Sequence, residues 1–388
     1  MNIQVDQVPM STKEGIPALT GIRSLASFWV VFHHLQPEIA MLSLTPLVGD
    51  LARGGERAVD LFFVLSGFIL SLNYHKQFRK FKYGSYVQFL WLRLARIYPV
   101  HIAGLAVWAL LLLVSLLVGR LEPISGGFSF ANLVANLLLI QGWSVPMRNG
   151  WNYPAWSISM EWLAYLWFPF LVGWISAVRK MALMVGGLVV LLVITGPLVV
   201  RYPTASSFIR IGCEFVTGCI LWSVWRRIRE AGTWSLGWIT LPSVVMAIAL
   251  SNIFGWYSIP VFGLVVLSLA LDKGAGSQLF GSRLFVYWGK VSYSLYIMHA
   301  AVISICRAAL PVARYQGTSL AERFVVLLAY LLCIAGAGSF TYHFVEEPLR
   351  LWMRSRNPGY LRALTDRSEN DVPMACGAPI MEDARTEG

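Results

Sequence analysis

GIRSLASFWVVFHH, residues 21–34, decides the fold. Its centre is apolar enough for the interior of a bilayer, yet Arg23 stands at one end and His33 and His34 at the other. Ionisable side chains are costly in lipid, and where they occur they face a bundle interior or a water-filled path and carry function. Arg23 and His34 are separated by three helical turns plus about 20°, so they share one face, about 16 Å apart along the axis. His33 points about 80° away from Arg23. The stretch reads as a membrane-crossing helix with a polar seam, Arg23 near the cytoplasmic surface and His34 about halfway across.

The rest of the chain agrees with that reading. Of its 388 residues, 57% are hydrophobic and only 13% charged, with a mean hydropathy of +0.62. A soluble core could not hide this much apolar surface behind so few charges. Sixteen Trp and 15 Tyr suit a membrane protein, whose interfaces favour amphipathic rings. The net charge of +11 does not indicate nucleic acid, because the basic residues lie between apolar runs and form no continuous basic face. Cys213, Cys219, Cys306, Cys333 and Cys376 contain no CxxC pair, so neither a disulfide framework nor structural zinc is expected. Residues 1–17 lack an apolar signal core with a cleavage site, and the first span is expected to be retained.

A span needs roughly 20 apolar residues. Ten segments qualify, at about 19–38, 58–75, 99–119, 156–177, 181–200, 207–225, 235–254, 257–271, 285–306 and 324–343. Residues 131–143 are apolar but short, and read as re-entrant, interfacial or a further span. With the N-terminus inside, 20 of the 31 Lys and Arg fall on cytoplasmic segments and nine on external ones, which supports both termini cytoplasmic. The expected architecture is therefore all-α, a polytopic transmembrane bundle of about ten spans. It divides into a cytoplasmic segment 1–17, a membrane domain 18–350 and a polar, disordered cytoplasmic tail 351–388.

Several further polar residues fall inside these spans. Asp60 enters the second span and is either a helix N-cap or a partner for a cation, while Ser66 and Gly67 suit close packing. Arg93 and Arg96 share a helical face inside an aromatic frame, where guanidinium groups can fork onto phosphate oxygens. Ser157, Glu161 and Tyr165 form one stripe on the fourth span. A structural ion pair and a site role stay open for Glu161. Arg210 and Glu214 read as a local ion pair. Ser292, Tyr296 and His299 form a stripe on the ninth span, where His299 either packs or touches substrate. Pro348 is expected to stop the last helix, with Glu346 or Glu347 on a loop arginine.

In this order, GIRSLASFWVVFHH, VDLFFVLSGFIL, RLARIYP, WSISMEWLAY, VSYSLYIMH and FVEEP make the chain resemble acyltransferase family 3 over about residues 17–350. That family includes O-acetyltransferases of bacterial surface polysaccharides and acyltransferases of macrolides. The resemblance implies a ten-helix protein of the bacterial inner membrane. It implies transfer of an acyl group, usually acetyl, from cytoplasmic acyl-CoA to a hydroxyl of a carbohydrate or glycoside. It also implies functional roles for Arg23 and His34, and for Arg93 and Arg96. The partners are then acyl-CoA, a carbohydrate or glycoside acceptor and membrane lipid, with no nucleic acid and no metal.

The chemistry of the residues fits that expectation. Arg93 and Arg96, with Arg23, would hold the CoA phosphates while the pantetheine arm runs up the bundle. His34 would deprotonate the acceptor hydroxyl, or itself carry the acyl group. Asp60 or Glu161 would orient the imidazole. Tyr296 and Ser157 are candidate substrate contacts beside His299. A proton-coupled transporter is the rival class, with His, Glu and Asp as a relay. It lacks the paired halves with broken helices that such proteins often show. A non-catalytic scaffold would leave the histidines unexplained.

Overall fold

The structure is a computed structural model describing residues 15–43, 46–118, 128–143, 150–178, 180–232, 237–254, 258–271 and 274–357. Among these residues the chain is all helical, with no strand. The helices run α1 Pro17–His34, α2 Gln36–Ala40, α3 Pro46–Arg53, α4 Ala58–Tyr74, α5 Tyr83–Leu117, α6 Phe130–Leu137, α7 Trp156–Ala177 and α8 Met181–Arg201. They continue with α9 Ser206–Ala231, α10 Gly237–Phe254, α11 Ile259–Leu271, α12 Ala275–Phe280, α13 Arg283–Ala309, α14 Val312–Tyr315, α15 Leu320–Thr341 and α16 Glu347–Ser355.

Among the described residues, six helical stretches are long and apolar enough to cross a membrane: those around α5, α7, α8, α9, α13 and α15–α16. The outer helices turn apolar side chains outward. Leu183, Val189, Val190 and Val193 of α8 are all exposed. Such a surface needs lipid rather than water. The other four segments expected to span are also helices, namely α1, α4, α10 and α11. They fall outside the six because α11 has 13 residues, α4 has 17, and α1 carries Arg23 and two histidines. The chain is thus a multi-pass membrane protein, with fewer long apolar helices among the described residues than the sequence count of ten.

Two close helix crossings organise the interior. On α13, a Cβ at Gly289 would lie 2.0 Å from the Thr20 carbonyl of α1, so only glycine admits this approach. Thr20 meets Gly289, Arg23 meets Ser292 and His34 meets His299, so α1 and α13 run parallel with their polar stripes facing. The second crossing is reciprocal. A Cβ at Gly67 of α4 would lie 2.1 Å from the Phe215 carbonyl of α9, and one at Gly218 would lie 2.1 Å from the Val64 carbonyl. The packing role expected for Gly67 is what the backbone shows.

Several expectations are corrected. Helix α1 does not run to residue 38 but ends at His34; Leu35 leaves helical geometry, and α2 starts at Gln36 with Pro37 in its first turn. His34 is therefore the last residue of α1. Helix α5 begins at Tyr83, far ahead of residue 99, and its 35 residues measure about 52 Å against about 30 Å of hydrocarbon. The only helix in the segment 131–143 is α6, which begins at Phe130 and, at eight residues and about 12 Å, is too short to cross. Pro348 does not stop the last helix. A π turn over Tyr342–Glu346 precedes it, and the proline sits in the first turn of α16, where its missing N–H costs nothing. Helix α16 runs past the boundary drawn at 350; the proposed tail from 358 onward, Cys376 and residues 1–14 lie outside the described residues.

Candidate active site

Arg23, Arg93, Arg96, Glu161, Tyr165 and Tyr293 come from four helices to line one polar cavity of about 70 Å³, room for a few waters. Arg23 donates from Nε to Ser292 Oγ at 3.4 Å. Glu161 is held on its own helix and across to α4: Tyr165 donates to Oε1 at 2.5 Å and Ser66 at 3.1 Å. Arg93 donates to the Tyr74 hydroxyl at 2.9 Å and lies over the rings of Tyr74, Phe89 and Tyr165. Arg96 forms an ion pair with buried Glu346, whose second oxygen accepts from Ser294 at 2.6 Å. So Glu346 pairs with a helix arginine, while Glu347 takes Arg350 at 3.4 Å.

His34 lies outside this cavity, in a second cluster. Its Nδ1 is 3.0 Å from the Val30 carbonyl and 3.2 Å from His299 Nε2. His299 Nδ1 is 2.6 Å from the Tyr296 carbonyl. A carbonyl only accepts, so each Nδ1 must carry the proton. His299 Nε2 is then the acceptor for the His34 Nδ1–H, and His34 Nε2 keeps its lone pair. His33 is directed elsewhere, its Nδ1 3.0 Å from the Arg53 carbonyl. At the end of α1, Arg307 donates to the His34 carbonyl at 3.0 Å and forks onto Glu38 at 2.7 and 3.0 Å. This satisfies a carbonyl that the helix end leaves open.

The two clusters are joined by α1 and divided by two rings. The Arg23 guanidinium lies over Phe62, 5.4 Å from its centroid. Phe62 is 6.3 Å from the Tyr296 ring, which is 5.8 Å from His299. Tyr296 is fixed at its far end, its hydroxyl 2.8 Å from Ser157 Oγ and donating to the Pro154 carbonyl at 3.0 Å.

Neither carboxylate considered for orienting the imidazole touches His34. Glu161 is in the arginine cavity. Asp60, fully buried, pairs with Arg210 and lies 3.8 Å from Arg57. Arg210 therefore bridges helices through Asp60, with Glu214 at 3.7 Å, and is more than the local pair its spacing suggests. Sequence reasoning missed Phe62, Tyr74, Tyr293 and Arg307. Tyr293 sits in VSYSLYIMH, one residue beyond the stripe read from helical spacing. Among the described residues, no group of three His, Cys, Asp or Glu could hold a metal.

A model of the acyltransferase domain family matches residues 16–342. Acyltransferase MdmB of Streptomyces mycarofaciens is 26% identical over 88% of this chain and 94% of its own length. A Staphylococcus aureus (strain COL) protein with the provisional name O-acetyltransferase SACOL0978 is 23% identical over 89% of this chain, which spans only 60% of that relative. Protein 2 in picA locus, of Rhizobium radiobacter, is 32% identical over 39% of this chain and 79% of its own length. No solved structure matches significantly.

Proposed function

The chain belongs to the acyltransferase domain family, and on that premise we propose that it is an integral membrane O-acyltransferase of the bacterial inner membrane. In this reading it moves an acyl group, acetyl first among candidates, from cytoplasmic acyl-CoA to a hydroxyl of a carbohydrate or glycoside such as a surface polysaccharide. Ten spans with both termini cytoplasmic would put the first half of α5, with Arg93 and Arg96, at the inner surface. The shorter α1, α4, α10 and α11 then complete the ten.

The observation that carries the proposal is the course of α1. It leads from an arginine-lined cavity at Arg23 to the paired imidazoles of His34 and His299. Arg93, Arg96 and Arg23 are donors suited to the phosphates of CoA. His34 Nε2 accepts the proton of the acceptor hydroxyl, whose oxygen attacks the thioester carbonyl. The tetrahedral oxyanion collapses, the carbon–sulfur bond breaks and CoA leaves as a thiolate. The imidazolium returns the proton to that thiolate, and the acyl oxygen ester is the product. His299, by accepting from Nδ1, holds the ring in the tautomer this requires.

The test is transfer from [14C]acetyl-CoA in inverted membrane vesicles. Label should enter a glycan or glycoside fraction with release of free CoA, and His34→Ala should stop it. Uptake of a solute coupled to a proton gradient, with no acylated product, would replace this reading by a transporter.

A further inference from the structure

Helix α16 presents an inverted pattern. Leu349, Leu351 and Trp352 are exposed, while Arg350, Met353 and Arg354 turn toward the protein. An arginine near a membrane surface normally reaches outward to water and headgroups. Here both arginines are only partly exposed, on a helix that packs against α5. Trp91 Nε1 donates to the Met353 carbonyl at 2.8 Å and ties the two helices. Arg354 is within electrostatic reach of Arg350, Arg93 and Arg96. Arg350 and Arg354 thus add two guanidinium groups in the neighbourhood of Arg93 and Arg96, outside the residues that line the arginine cavity itself.

The carboxylates there are too few. Glu346 is taken by Arg96, Glu347 reaches Arg350 through one Nη at 3.4 Å, and Glu161 on the cavity wall accepts from Tyr165 and Ser66, which leaves three carboxylates for Arg23, Arg93, Arg96, Arg350 and Arg354. Among the described residues, the buried Nε atoms of Arg93, Arg350 and Arg354 have no hydrogen-bond partner. A buried donor left unmade is costly, and like charges held together raise the cost further. Such a cluster is completed by an anion with several acceptor oxygens, for which guanidinium forks are geometrically matched.

We infer that Arg350 and Arg354 of α16, together with Arg93, form a phosphate-binding subsite for the nucleotide end of the acyl-CoA donor. This rests on the acyl-CoA reading above. It adds a helix from the far end of the chain to a donor site otherwise built from α1 and α5. The same phosphate chemistry could come from an anionic lipid headgroup, and the test separates the two.

The full-length protein is placed in nanodiscs of phosphatidylcholine, and the affinities for CoA and for pantetheine are measured by calorimetry. Arg350→Gln and Arg354→Gln should each lower the ratio of CoA to pantetheine affinity by roughly tenfold, the effect of losing charge-assisted hydrogen bonds. Arg350→Lys and Arg354→Lys, which keep the charge and lose the fork, should fall between. They serve if a glutamine variant does not fold. An unchanged ratio while the wild type binds CoA overturns the subsite and leaves the acyltransferase reading standing. The same result with loss of co-purified phosphatidylglycerol from the glutamine variants assigns the cluster to lipid instead. No CoA binding by the wild type overturns the acyl-CoA reading and the subsite with it.

Discussion

His299 Nε2 lies 3.2 Å from His34 Nδ1, while each imidazole also donates from Nδ1 to a backbone carbonyl. The pair is therefore directional: one ring presents a lone pair to the other and frees His34 Nε2 to act. Replacing His34 with Ala is expected to lower acyl transfer by about 10²–10⁴-fold, the usual contribution of a general base. His299→Ala is expected to cost less, roughly tenfold to a hundredfold, the effect of one lost buried hydrogen bond. His299→Gln, which can still offer an acceptor, should recover part of that loss. Transfer rates and pH profiles of the three variants check this. Equal rates for His299→Ala and wild type would remove His299 from any positioning role.

Glu346 accepts from both Arg96 and Ser294 in a buried setting. Glu346→Gln should therefore lower stability by about 3–5 kcal/mol, because a buried guanidinium loses its countercharge. Arg96→Gln in the same background should restore part of it. Thermal unfolding of the four proteins in detergent gives the coupling directly. Additive losses from the two single variants would mean that the pair does not act as a unit.

Asp60 separates structural from chemical roles. It pairs with Arg210 away from both the cavity and His34. Asp60→Asn is expected to destabilise the protein by about 3 kcal/mol, leaving a buried arginine under-compensated. The rate per folded molecule should change little. A variant of normal stability and abolished transfer would return Asp60 to the reaction.

Much of this was legible in the sequence because helical spacing is a strong signal. The Arg23–His34 face, the Ser292–Tyr296–His299 stripe and the Arg93–Arg96 pair all follow from 3.6 residues per turn, and the structure sets the first two stripes against each other. What spacing cannot give is which helices are neighbours. Asp60 and Arg210 are 150 residues apart, and Arg96 and Glu346 are 250 apart, so their pairing is a property of the packed bundle. Helix ends were the other weak point. Pro37 signals a break near the end of α1, but only the local backbone shows that the helix stops at His34 rather than running on to residue 38. The π turn before Pro348 was likewise unreadable, since nothing in YHFVE forbids an α-helix.

Phe62 and Tyr296 form a chain of ring contacts between Arg23 and His299, so in the acyl-CoA reading an acyl arm entering from the arginines would pass them on the way to His34. In the acyl-CoA reading the two rings would also keep water from the thioester. Phe62→Ala removes one ring from this wall without touching any hydrogen bond of the site. It should raise acceptor-independent release of CoA from acetyl-CoA by about tenfold, equivalent to ~1.4 kcal/mol off the barrier. It should also widen the range of acyl chains accepted, because the passage, not the base, would limit length. Tyr296→Phe is the contrasting change. It keeps the ring and loses the contacts to Ser157 and the Pro154 carbonyl, a cost of about 1 kcal/mol in stability. Its CoA release should stay near wild type. Free CoA measured with a thiol reagent, over acetyl to octanoyl donors, decides the matter. If Phe62→Ala changes neither hydrolysis nor chain preference, the donor reaches His34 by another route and the two clusters do not form one reaction path.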